Sequence, residues 1–134
     1  MDLRILSPIR TNRLGEKVES PTLESLREEI RQFARERDWE QFHSPKNLAI
    51  ALSVEAGEVL EHFQWLSQDK SGELSKERWD AVRLELADVF IYLIRLADSL
   101  DVDLERAARD KMKLNAERYP VEKAKGSAVK YDQL

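Results

Sequence analysis

The sequence predicts an all-α fold, and three observations carry the prediction. Apolar residues recur at helical spacing in four separate stretches, serine–proline pairs open two of them, and no internal repeat, low-complexity tract or credible strand pair interrupts the series. Four main helices with short connections make an antiparallel four-helix bundle the simplest architecture, with a polar arm ahead of it and an extended tail behind.

Residues 1–20 are polar and mixed, with Pro8 and Gly15 interrupting them and no sustained period. They are expected to form a flexible arm, or a segment ordered by a partner subunit; residues 21–134 form the domain. The first helix should begin near Ser20, Pro21 and Thr22, carry Leu23, Leu26, Ile30, Phe33 and Ala34 on one face, and end near Asp38. Ser44-Pro45 opens the second, whose pattern runs to about Ser67. Within it Gly57 disfavours helix by ~1 kcal/mol relative to alanine and calls for a packing reason, such as close approach of a backbone or a ligand. Asp69 and Gly72 mark a loop. The third helix should span about 75–99 and the fourth 104–118, where Tyr119-Pro120 stops it. Residues 121–134, with Gly126-Ser127, read as extended.

A chain of 134 residues is enough for one domain that buries roughly two-thirds of its surface. The absence of cysteine excludes disulfides, thiolate nucleophiles and zinc–thiolate sites, and His43 and His62 are too few for a histidine-only metal centre. A formal charge of −4 argues against nucleic acid or an anionic membrane as the main partner. The N-terminus lacks the features of a signal peptide and no uncharged apolar run approaches ~20 residues, so a cytoplasmic location is expected.

Two acidic motifs stand out: Glu55-Ala-Gly-Glu58 in the second helix and Glu85-Leu-Ala-Asp88 in the third. A spacing of three puts both carboxylates of each pair on one side of a helix, one turn apart. Any single glutamate is most simply a solvated one, but angular position tests this. At ~100° per residue, Glu55 falls among Leu48, Leu52, Val59 and His62, with Glu58 at the edge of that stripe. Glu85 shares a face with Val82, Val89, Tyr92 and Leu96, and Asp88 lies beside it. Inward carboxylates need a compensating cation. Arg95, two turns on, could neutralise Asp88, whereas the second helix offers only Lys46 at its start. Glu55, Glu58 and Glu85 therefore point to a metal, and an oxygen-only donor set favours Mg²⁺ or Mn²⁺ over zinc.

The fourth helix carries Lys111, Asn115 and Arg118 on the face begun by Leu104, Ala107 and Ala108. Such a stripe suits phosphate oxygens beside a metal, although cations are also favourable at any helix C-terminus. Trp39 and Trp65, with Phe42 and His43 near the first, can stack on a nucleobase or simply pack or sit in an interface. Trp79 is assigned to packing.

The run from Phe33 through Trp39, Phe42-His43-Ser-Pro45-Lys-Asn47, then Glu55-Ala-Gly-Glu58 and Phe63-Gln-Trp65, resembles the dCTP pyrophosphatase family of the MazG-like all-α nucleoside triphosphate pyrophosphohydrolases. Glu85-Leu-Ala-Asp88-Val-Phe-Ile-Tyr92, Lys111-Met, Asn115, Arg118-Tyr119-Pro120 and Lys130-Tyr131 extend the resemblance from about Thr22 to Leu134. It implies Mg²⁺-dependent hydrolysis of a deoxynucleoside triphosphate to monophosphate and pyrophosphate. Glu55, Glu58, Glu85 and Asp88 take the positions of metal ligands and catalytic carboxylates, with Glu61 an alternative base. Trp39 and Trp65 match aromatics at the base pocket, Tyr92, Lys111 and Asn115 polar groups around the nucleotide, and Arg118, Lys130 and Tyr131 the phosphate side, with His43 a further substrate-binding residue. The resemblance also implies a homo-oligomer, a dimer of dimers with sites between subunits. Ile30 stands where animal members carry a histidine near the substrate, a departure that bears on base preference. The alternatives are the same reaction on dUTP or a broad set of triphosphates, and a helical nucleotide-binding or oligomerisation module without turnover.

Overall fold

Side chains at the ends of the expected helices take up the free N–H groups of each first turn, and the helices start there. The computed structural model describes residues 22–133 and, ahead of them, two short strands. The Thr22 hydroxyl accepts from the Ser25 N–H at 3.0 Å while the Ser25 hydroxyl accepts from the Thr22 N–H at 3.0 Å, and α1 runs Leu23–Arg35. Ser44 caps α2, Pro45–Glu61, by accepting from the Asn47 N–H at 3.2 Å, with Pro45 in the first turn. Ser75 and Asp103 do the same for α3, Lys76–Ser99, and α4, Leu104–Arg118.

Two of the helices end on aspartates in the left-handed region, Asp38 (φ 53°) and Asp101 (φ 55°). In each case the next N–H turns back to a carbonyl five residues earlier: Trp39 to Ala34 at 3.0 Å and Val102 to Ala97 at 2.9 Å. This is the Schellman closure usually made with glycine; aspartate tolerates it better than most side chains.

The chain forms two compact units, Met1–Trp39 and Glu40–Leu134. The first contains α1 and an antiparallel pair of two-residue strands, β1 (Arg10–Thr11) and β2 (Lys17–Val18). That pair corrects the expectation that no strands form, since two residues are too few for alternation to register in a sequence. The expected mobility of residues 1–20 otherwise lies outside the described residues. After α1, the edge of Trp39 meets the Phe33 ring at 5.7 Å between centroids and 71° between planes.

In the second unit α2 and α3 pack along one another as a helical hairpin. Their direction is fixed by pairs at both ends: Glu55 and Glu58 meet Glu85 near the loop, and His43, just before α2, meets Arg95 near the end of α3. Only an antiparallel arrangement satisfies both. Leu48, Val82, Ile94 and Ala97 are the buried apolar residues of this unit.

The all-α class is what the structure shows, and it differs in detail from the sequence expectation. α2 stops at Glu61, six residues earlier than expected at Ser67, because the N–H groups of Phe63 and Gln64 both bond to the Leu60 carbonyl and that of Leu66 to Phe63, tightening the chain into turns. The tail is not simply extended: it holds α5, Val121–Ala124, and a 3-10 turn, Tyr131–Gln133. A side-chain carbon added at Gly57 would meet nothing within 4 Å among the described residues, so the expected packing reason is not met among them. Trp79, expected to pack, is 55% exposed. Finally, the residues of α4 beyond Leu104 are exposed. No helix among the described residues is long and apolar enough to cross a membrane.

Candidate active site

The acids sit where helical geometry puts them. On α2 the i, i+3 spacing of Glu55 and Glu58 sends both toward α3, and Glu85, nine residues into that helix, comes opposite them. One carboxylate oxygen from each of the three lies within 4.8 Å of the others. Glu55 and Glu85 are half-buried and Glu58 is exposed. Among the described residues none of the three has a lysine or arginine ion-pair partner.

The electrostatics follow from that crowding. At an effective dielectric of about 20, two like charges this close repel by about 3 kcal/mol. Burial first, and then the charges of Glu58, Asp88 and Glu85, hold the Glu55 carboxyl above its ordinary range. Asp88 is thus felt by Glu55, although it stands outside the three-carboxylate cluster. A cluster of hard oxygens with no basic partner among the described residues fits a divalent cation: the ion would replace repulsion among the acids by attraction. Glu55, Glu58 and Glu85 are the residues positioned to hold it, with Asp88 next on the same face of α3.

Arg95 does not neutralise Asp88, and here the sequence expectation is corrected. Its Nη1 donates to Asp98 Oδ2 at 3.2 Å, its Nε to His43 Nδ1 at 3.2 Å, and its Nη2 reaches Glu40 Oε1 at 3.5 Å. The guanidinium points across the hairpin toward the 3-10 turn Glu40–Phe42 instead of back along its own helix. Asp98, one turn away, out-competes an acid two turns away. Arg95 is 9% exposed, and neither it nor Asp98 was singled out as an inward pair from the sequence. The available signal was their i, i+3 spacing around Ile94 and Ala97, both buried.

The remaining expected site residues divide into groups. Tyr92, half-buried, lies one turn beyond Asp88 on α3. Lys111, Asn115 and Arg118 are exposed on α4 at i, i+4 and i+7. Arg118, Lys130 and Tyr131 come together: the guanidinium carbon lies 5.1 Å and the Lys130 ammonium 5.8 Å from the Tyr131 ring centre, and Tyr119 meets that ring edge-on at 5.9 Å. Trp65, in the turns after α2, is 87% exposed. Trp39 belongs to the first unit, against Phe33. His43 is held by Arg95, and burial first, then the Arg95 charge, keep its imidazole below the ordinary range, against an opposing pull from Glu40.

Carboxylates meeting across two antiparallel helices place the chain among all-α proteins whose acidic cluster is compatible with a divalent cation. A MazG-like family model matches residues 50–134, and the chain belongs to the MazG-like family. The dCTP pyrophosphatase 1 of Rattus norvegicus is 51% identical over 117 residues, covering 85% of this chain and 68% of that protein. The dCTP pyrophosphatase 1 of Homo sapiens is 46% identical over 119 residues, with the same coverage of 85% and 68%. Among solved structures, a pyrophosphatase from Archaeoglobus fulgidus is similar with a TM-score of 0.70 and 38% identity, over 78% of this chain and 99% of that one.

Proposed function

We propose that the chain is a nucleoside triphosphate pyrophosphohydrolase that cleaves a deoxynucleoside triphosphate, foremost dCTP or a modified dCTP, into the monophosphate and pyrophosphate. The observation that carries this reading is the convergence of Glu55, Glu58 and Glu85. The names of the similar rat and human proteins support the substrate class.

Mg²⁺, with Mn²⁺ as a substitute, would be held by Glu55, Glu58 and Glu85 with Asp88, and when bound it supplies charge neutralisation at the phosphate oxygens. The chain's own groups do the rest. A carboxylate of the cluster, Glu55 or Glu58, orients a water for in-line attack on phosphorus and takes its proton, and Glu61, one turn past Glu58, is the alternative base. Lys111, Asn115, Arg118 and Lys130, with the Tyr131 hydroxyl, bind phosphate oxygens. Tyr92 adds a polar contact to the nucleotide. Trp39 and Trp65 stack on the base, and His43 contacts the substrate.

Residues 21–134 act as one catalytic domain in the cytoplasm, assembled as a dimer of dimers. The exposed apolar side chains support self-association: Ile50 and Val54 on α2, and Leu86, Phe90 and Leu93 on α3, recur at helical spacing and are over a third exposed. Ile30, where animal members carry a histidine, leaves base preference to experiment. A panel of deoxynucleoside triphosphates, with products separated by anion exchange, is expected to show pyrophosphate and monophosphate with a cytosine nucleotide preferred. Orthophosphate as the primary product would reject the mechanism, and equal rates on all bases would reject the cytosine preference alone.

A further inference from the structure

The cluster of buried Arg95 and Asp98 with half-buried His43 and exposed Glu40 ties the end of α3 to the turn that leads into α2. The arginine and aspartate side chains are 10% and 6% exposed. Asn47 adds a second tie, its side-chain amide donating to the Phe42 carbonyl at 3.0 Å. An arginine Nε always carries its proton, so a bond from Nε to His43 Nδ1 requires that Nδ1 be bare. The ring is then neutral with its proton on Nε2, and its position is set by a group clamped from the other side by Asp98.

We propose that Arg95 is a positioning residue for the nucleotide site: clamped by Asp98, it fixes His43 in place and in a single neutral tautomer, so that the imidazole meets the nucleotide pre-organised. The proposal rests on the reading above that places His43 at the substrate. Arg95 lies ten residues beyond Glu85 on the same helix, roughly 15 Å along its axis at 1.5 Å per residue. An extended nucleoside triphosphate can span that distance. Burial and the nearby guanidinium both act to keep the ring uncharged, with Glu40 acting against them.

Two measurements test this. With His43 and His62 the chain's only histidines, ¹⁵N spectra of the imidazoles in the wild-type protein at pH 7.5 assign each tautomer directly. His43 is expected to be wholly Nε2-protonated; an Nδ1-protonated or mixed ring overturns the proposal without any mutation. The second measurement is steady-state turnover. Arg95→Lys retains a charge for Asp98 but loses the Nε donor, and should raise KM about five-fold, the worth of one ordinary hydrogen bond, with kcat little changed. In a His43→Ala background the same substitution should leave KM where it was. Equal KM effects in both backgrounds would mean that Arg95 acts only on the fold, and would overturn the proposal. Failure of the wild type to release pyrophosphate from any triphosphate would instead remove the functional reading on which it rests.

Discussion

Glu85→Gln is expected to lower turnover by at least about a thousandfold while leaving the helices intact. The carboxylate stands on α3 opposite both acids of α2, so its loss removes one of three converging charges and makes the cluster a weaker cation site. Charge neutralisation by a bound cation is worth several kcal/mol at a phosphoryl centre, and each ~1.4 kcal/mol is tenfold in rate. Glutamine keeps the side chain's shape, and Glu85 is half-buried with no ion-pair partner among the described residues, so nothing in the hairpin needs its charge. The metal-free variant should even unfold slightly higher than the metal-free wild type, because one source of repulsion on Glu55 is gone. Pyrophosphate release and circular dichroism on the same preparation check both halves. A variant that turns over at the wild-type rate would remove Glu85 from the mechanism.

Asp98→Ala has the largest expected effect on stability. It strips the best partner from a buried guanidinium, leaving Arg95 with His43 and a 3.5 Å contact to half-exposed Glu40. Breaking a buried pair from one side costs about 3 kcal/mol or more, whereas replacing both charges by apolar groups is often neutral. The melting temperature should therefore fall by about 10 °C in the single variant. The double change Arg95→Met with Asp98→Leu should recover most of that loss. Thermal unfolding of the three proteins measures it, and a single variant as stable as the wild type would show that the pair carries no structural weight.

What could be read from the sequence was local. Thr22, Ser44-Pro45 and the Asp101-Val-Asp103 break mark helix starts because capping involves residues three apart. The convergence of Glu55, Glu58 and Glu85 was legible for the same reason: a helix converts spacing into facing. What was missed depends on distance along the chain or on competition. No glycine or proline announces the end of α2; the Leu60 carbonyl simply accepts two N–H groups and the helix tightens. Arg95 looked available to Asp88 by spacing, but its side chain is long enough to meet His43, 52 positions away, and a nearer aspartate decided the outcome. The basic stripe of α4 was visible as a stripe, yet its position relative to the acids depends on packing that a periodicity does not encode.

The most direct test of the central claim is a titration of Mg²⁺ into chelated wild-type protein with dCTP present, following pyrophosphate. If the cluster of Glu55, Glu58 and Glu85 holds the catalytic cation, release should start from zero, rise with Mg²⁺ to saturation, and stay near zero throughout for Glu85→Gln. Pyrophosphate released at the same rate without any divalent cation, or an unchanged Mg²⁺ dependence in the variant, would contradict it.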